Sequence, residues 1–143
     1  MATRSAIGVM HGDVCKSVYC HWDGYLEHNG KLLQEHYTNS AKANLLVALG
    51  DISVLSETIG EAHDFDDRSH PNWTKFYGRD RGESETEFRT FTDYDSFMKH
   101  YEGMGCEYFY LLKDGVWYVS QFGRPLEVLV DVLKRVEEEA CDD

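Results

Sequence analysis

Apolar positions recur along the chain in two rhythms. Ser5–Met10 and Val14–Cys20 are short β-branched and aromatic runs around His11-Gly12-Asp13, which predicts a hairpin. Trp22-Asp23-Gly24 then breaks the strand. From about Gly30 the period lengthens: Leu32, Leu33, His36 and Tyr37 fit a short helix. A second helix starts at Ser40 as its N-cap, turns Ala43, Leu46, Val47 and Leu49 inward and ends at Gly50. Ile52, Leu55 and Ile59 extend the helical spacing by a further turn. Glu61–Thr74 has no period and reads as a long surface loop anchored by Phe65 and Trp73. Lys75–Tyr77 and Glu87–Phe91 predict strands on either side of a Gly78-Arg79-Asp80-Arg81-Gly82-Glu83 loop. Thr92 or Asp93 caps a helix through Phe97, Met98 and Tyr101, which stops near Gly103 and Gly105. Glu107–Leu112 and Val116–Gln121 form the clearest hairpin, turning at Lys113-Asp114-Gly115. Pro125 opens a last helix with Leu126, Leu129, Val130, Leu133, Val136 and Ala140 along one stripe.

Together these elements predict a single α+β domain over residues 1–143, an antiparallel sheet with helices packed on one face. The length of 143 residues and the 42% apolar content suit one self-sufficient core. No stretch approaches the roughly 18 apolar residues of a membrane span, and the opening residues carry no signal-peptide pattern. Cys15, Cys20, Cys106 and Cys141 are too scattered for a zinc site or a disulfide framework and read as reduced thiols.

Charge narrows the function. The chain carries 26 acids against 14 Lys and Arg, a net of -12, and such a field repels phosphate backbones at long range. Direct nucleic-acid binding is therefore not expected. Most of the excess lies in the middle segment and in the C-terminal helix, where Glu137-Glu138-Glu139 opposes the helix dipole. That end either frays or meets a basic surface on another molecule.

Candidate chemistry gathers in three places. Tyr19-Cys20-His21-Trp22-Asp23-Gly24-Tyr25 packs aromatic rings, an imidazole and a carboxylate into one run. Trp22 and Tyr25 could clamp a flat ring while His21 or Asp23 bonds its polar edge, or Trp22 could simply plug the sheet–helix junction. Arg79 and Arg81 suit bidentate contact with phosphate, or else pair with Asp80, Glu83 and Glu85 as surface ion pairs. The run is no P-loop, since it lacks Gly-Lys-Ser/Thr. His63, Asp64, Asp66, Asp67 and His70 could ligate a metal, but their spacing suits a solvated loop better, so no metal or cofactor is expected. Glu27 and Glu35 would share a helical face only if a helix ran through Gly30.

The strings Tyr19–Tyr25, Asn29-Gly30-Lys31-Leu32-Leu33, Leu49-Gly50-Asp51-Ile52-Ser53 and Phe76-Tyr77-Gly78-Arg79-Asp80-Arg81-Gly82 resemble a family of small bacteriophage and prophage proteins. The resemblance spans roughly residues 4–120 and implies expression in the cytoplasm of an infected bacterium. It supplies no catalytic residues. Small acidic phage proteins often act in counter-defence by binding. The leading expectation is therefore a non-enzymatic protein that sequesters a small nucleotide signal on His21, Trp22, Asp23, Tyr25, Arg79 and Arg81, possible as a homo-oligomer. An acidic inhibitor of a host defence protein, or a DNA mimic, is the alternative. A small-nucleotide lyase or phosphodiesterase using His21 with Asp23, or His63 with His70, is the third.

Overall fold

A computed structural model describes residues 2–141. Met1, Asp142, Asp143 and the side chains of Ala140 and Cys141 lie outside the described residues, and with them the last position of the apolar stripe and the fourth thiol.

Strands β1 (Ser5–His11) and β2 (Val14–Cys20) form the expected hairpin, with Ser5 opposite Cys20 and His11 opposite Val14. β6 (Tyr108–Lys113) and β7 (Val116–Gln121) form the second. The two hairpins join through their first strands, β1 lying parallel to β6 from Ser5–Tyr108 to Val9–Leu112. The smaller strands β3 (Ile52–Val54), β4 (Lys75–Phe76), β5 (Arg89–Phe91) and β8 (Glu127–Val128) extend the edges in the order β4-β3-β2-β1-β6-β7-β8, and β5 also pairs with β2. The α+β class is as expected, but the sheet is mixed rather than antiparallel. Patterning within a hairpin fixes its own register and says nothing about how one hairpin docks on the next.

Helices cover both faces of the sheet, not one. Ile7, Val9, Val18, Tyr110, Leu112, Trp117 and Val119 point to the side packed by α1 (Lys31–His36), α2 (Ser40–Ala48) and α5 (Leu129–Cys141), where Leu33, Leu46, Leu129 and Val132 meet them. Ala6, Cys15, Phe109 and Leu111 point to the other side, where α4 (Tyr94–Gly103) delivers Phe97, Met98 and Tyr101. The signal lay in Ala6-Ile7-Gly8-Val9-Met10 and Phe109-Tyr110-Leu111-Leu112, which are apolar at consecutive rather than alternate positions. A strand buried on both faces has that composition. Trp117, buried on the first face, donates its indole N–H to the carbonyl of Tyr37 at 3.0 Å, tying the end of α1 to β7.

Several local readings shift. Asn39, not Ser40, caps α2: its side-chain oxygen accepts from the amides of Ala41 (2.9 Å) and Lys42 (3.2 Å). Ile52 begins a strand instead of a helical turn, because it sits beside Cys20 and its carbonyl accepts from the His21 amide at 3.0 Å. The chain passes through Gly30 without a break, from a π-type turn at Leu26–Gly30 into α1, so the exposed Glu27 and Glu35 do lie on one continuous helical run. The residues around the arginines are a short helix, α3 (Tyr77–Arg81), rather than a loop. After Pro125 the chain first pairs Glu127 and Val128 with β7, and the last helix starts only at Leu129.

Candidate functional site

The sheet forks at β2. Its first half, Cys15–Ser17, pairs with β5, and its last residue, Cys20, pairs with β3. Between them the amide of Tyr19 would lack a strand partner, and the carboxylate of Asp51 supplies one at 2.9 Å. Arg89, at the start of β5, grips the same carboxylate through two bonds of 2.9 and 3.1 Å. This bidentate pair stitches the fork together and raises the pKa of Arg89. Asp51 is almost fully buried, so the pair is structural.

A groove of about 430 Å³ opens at the fork, lined by Tyr19, Asp51, Tyr77, Arg81, Arg89 and the 83–86 segment, with Met104 at one end. The 83–86 segment reaches this position by passing directly over Gly50. A Cβ at Gly50 would stand 2.4 Å from the Thr86 carbonyl oxygen, and its φ of +91° is itself a conformation that favours glycine. The amide of Asp51 donates to the same Thr86 carbonyl at 2.8 Å, which fixes the wall.

The phenols of Tyr19 and Tyr77 are each pushed up by burial, Tyr19 to about 12, so both stay protonated at neutral pH. Tyr19 meets Nδ1 of His21 at 2.7 Å. The two atoms share one hydrogen bond, which fixes the imidazole ring against the phenol. Burial, together with the nearby Arg4 guanidinium, lowers the His21 pKa. Trp22 meets His21 edge to face at 4.7 Å between centroids. It is 43% exposed, so it does not plug the junction.

The six residues singled out in sequence are therefore only partly assembled. Arg81 lines the groove, His21 buttresses it through Tyr19, and Trp22 touches His21 without joining the lining. Asp23 turns the chain in a left-handed conformation, φ +55°, and forms no bond with His21. Tyr25 stands at the entry to the π-type turn, its ring 6.3 Å from that of His28, and is not part of the groove lining.

The arginine pair divides. Arg79 turns inward, where Nε and one Nη donate to Asp80 at 2.9 and 3.2 Å and the Nη groups reach the carbonyls of Thr74 (3.0 Å) and Gly60 (3.3 Å). These bonds make it a structural residue, and it diverges from Arg81 because a helix separates neighbours two positions apart by roughly half a turn. Arg81 turns outward, and among the described residues its carboxylate contact is a loose 3.9 Å approach to Glu83. Its guanidinium lies 5.4 Å from the centre of the Phe65 ring, which itself stacks on Tyr77 at 5.8 Å. The long loop thus braces the groove wall.

Sequence reasoning missed Tyr77, Arg89 and Asp51 as site residues, and named Tyr19 only as part of its aromatic run. The available signal was the alternation on β2: Tyr19 sits two residues from His21 and so shares its face. Arg4 also belongs to this region, donating to the Met104 carbonyl at 2.9 Å.

The histidine and aspartate loop is organised locally. Asp64 accepts from the Asp66 amide at 2.9 Å, Asp67 accepts from Ser69, and His70 stacks on Trp73 at 3.7 Å. His63 is held by the Glu61 carbonyl and lies 3.4 Å from Asp80. Among the described residues no group of three or more His, Cys, Asp or Glu is placed to hold a metal ion. Cys15, Cys20 and Cys106 are free and buried, and burial raises their pKa values to about 12, 11 and 12. None is an activated thiolate. No helix among the described residues is long and apolar enough to cross a membrane.

Comparison with protein families, curated proteins and solved structures finds no match to this chain.

Proposed function

We propose that this protein binds a small nucleotide in the groove at the sheet fork and acts by sequestering it, as a phage counter-defence factor in the bacterial cytoplasm. The observation that carries the reading is Arg81: a largely unpaired guanidinium beside two protonated tyrosines, in a concave site on a chain of net charge -12. Arg81 takes the phosphate, and the rings of Tyr19 and Tyr77 in the groove lining offer aromatic contact to the base or sugar. Trp22, exposed next to His21, extends the aromatic surface beyond the groove. A symmetric homo-oligomer would deepen a site this open. The counter-defence role rests on the resemblance of the Tyr19–Tyr25 and Phe76–Gly82 strings to phage proteins.

The test is thermal stabilisation of the purified chain by a nucleotide panel. A ligand at about 100 times its dissociation constant adds about 2.7 kcal/mol to stability. The bound species is then released by denaturation and weighed. Stabilisation lost in Arg81→Gln, with the ligand recovered intact, supports sequestration; an altered mass supports conversion by an enzyme. No stabilisation by any nucleotide sinks the reading.

A second reading, an acidic inhibitor of a host protein, draws on Phe122. This side chain is 61% exposed although its backbone is held at φ +54°, a costly conformation for an aromatic residue. Glu137, Glu138 and Glu139 add an exposed acidic face on α5. Lysate pull-down that survives Arg81→Gln but fails on neutralising Glu137–Glu139 favours this reading.

A further inference from the structure

The groove has a charge inventory that goes further than "nucleotide". Arg89 is committed to Asp51 through both of its terminal nitrogens. What remains at the mouth is Arg81 opposed by Glu83 and Glu85, all exposed, with Arg4 at the Met104 end. Glu83 already approaches Arg81 at 3.9 Å. Glu85 has φ +61° within the same short wall, in a segment anchored on Asp51 through the Thr86 carbonyl, so the backbone that carries these carboxylates is held at the mouth. A ligand carrying one negative charge takes the place of Glu83 beside Arg81 and is matched by that one guanidinium. A ligand carrying three or four must hold its extra charges beside the Glu83 and Glu85 carboxylates, and the other guanidinium among the described lining residues, Arg89, is already committed to Asp51.

We infer that Glu83 and Glu85 are specificity-determining residues that restrict the groove to ligands with a single phosphodiester charge and exclude polyphosphates. The inference rests on the nucleotide reading above and adds a selection rule to it.

The experiment is calorimetric titration of the full chain with three probes of matched base: a nucleoside, its 3′,5′-cyclic monophosphate and its 5′-triphosphate. The cyclic monophosphate is expected to bind at least about tenfold more tightly than either of the others, a difference of about 1.4 kcal/mol. In Glu83→Gln/Glu85→Gln the triphosphate should gain about tenfold or more, while the cyclic compound changes by less than about threefold. In Arg81→Gln the advantage of the cyclic compound over the nucleoside should disappear. All three positions are exposed and outside the core, and unchanged far-UV circular dichroism confirms folding. Triphosphate binding as tight as cyclic binding in the unaltered protein overturns the selection rule and leaves nucleotide binding standing. An unchanged preference in the double variant does the same. Failure of all three probes to bind overturns the nucleotide reading and the selection rule with it.

Discussion

Replacing Asp80 by alanine should destabilise the fold far more than removing any exposed carboxylate. Its side chain is fully buried and accepts four hydrogen bonds: from the amides of Phe76 (2.9 Å) and His63 (3.1 Å), and from Arg79 at 2.9 and 3.2 Å. Burial alone would raise its pKa, but Arg79 and the two amides outweigh it and hold the carboxyl below the usual range. In Asp80→Ala two backbone donors lose their partner, at about 1 kcal/mol each. A guanidinium only 13% exposed loses its counter-charge, and breaking a buried pair in that way costs about 3–5 kcal/mol. These terms overlap, so the expected total is about 4 kcal/mol. Urea unfolding followed by circular dichroism and by tryptophan fluorescence measures it, since Trp73 packs against His63 in the same cluster. Adding Arg79→Met to Asp80→Ala removes the stranded charge and should recover about 1–2 kcal/mol of the loss. A loss below about 1 kcal/mol, or a double variant no better than the single one, would refute the assignment of Arg79 as structural rather than ligand-binding.

Gly60→Ala should cost about 2 kcal/mol or more in the same assay, because its φ is +66° and a Cβ would stand 2.3 Å from Cγ of Trp73. Leu33→Ala, at a fully buried position beneath the first sheet face, should cost about 2–5 kcal/mol without altering ligand stabilisation. Stability should fall as pH drops below about 6.5, where an unfolded histidine gains a proton that folded His21, held low by burial and by Arg4, refuses. Above that pH this group contributes no slope. His21→Gln should shallow the acid limb in denaturation curves taken across that range, and an unchanged limb would assign it to other groups.

Most of the fold was legible because its signals are local. The two hairpins, the α4 cap at Asp93 and the apolar stripe of α5 follow from periodicity and turn chemistry within a dozen or so residues. What was not legible depends on partners far away in sequence. Ile52 carries a helical spacing, and only β2 makes it a strand. The parallel contact of β1 with β6 leaves no mark in either segment. The candidate site divides the same way. An exposed aromatic run and an arginine-rich string were visible, but the inward turn of Arg79 depends on Asp80, Thr74 and Gly60 surrounding it. The fork that brings Tyr19 beside Tyr77 depends on a single buried aspartate filling a gap in the ladder. A carboxylate in that role is indistinguishable in sequence from any other Leu-Gly-Asp turn.

The parallel alignment of Ser5 with Tyr108 sets a waiting time on the ribosome. At about 5–20 residues per second, synthesis needs roughly 5–20 s between the emergence of these two segments. During that interval the nascent N-terminal hairpin carries an open backbone edge and apolar side chains on both surfaces. Such a nascent chain is a natural client for chaperones, and its yield in a cell should depend on translation speed and temperature more steeply than its equilibrium stability would suggest.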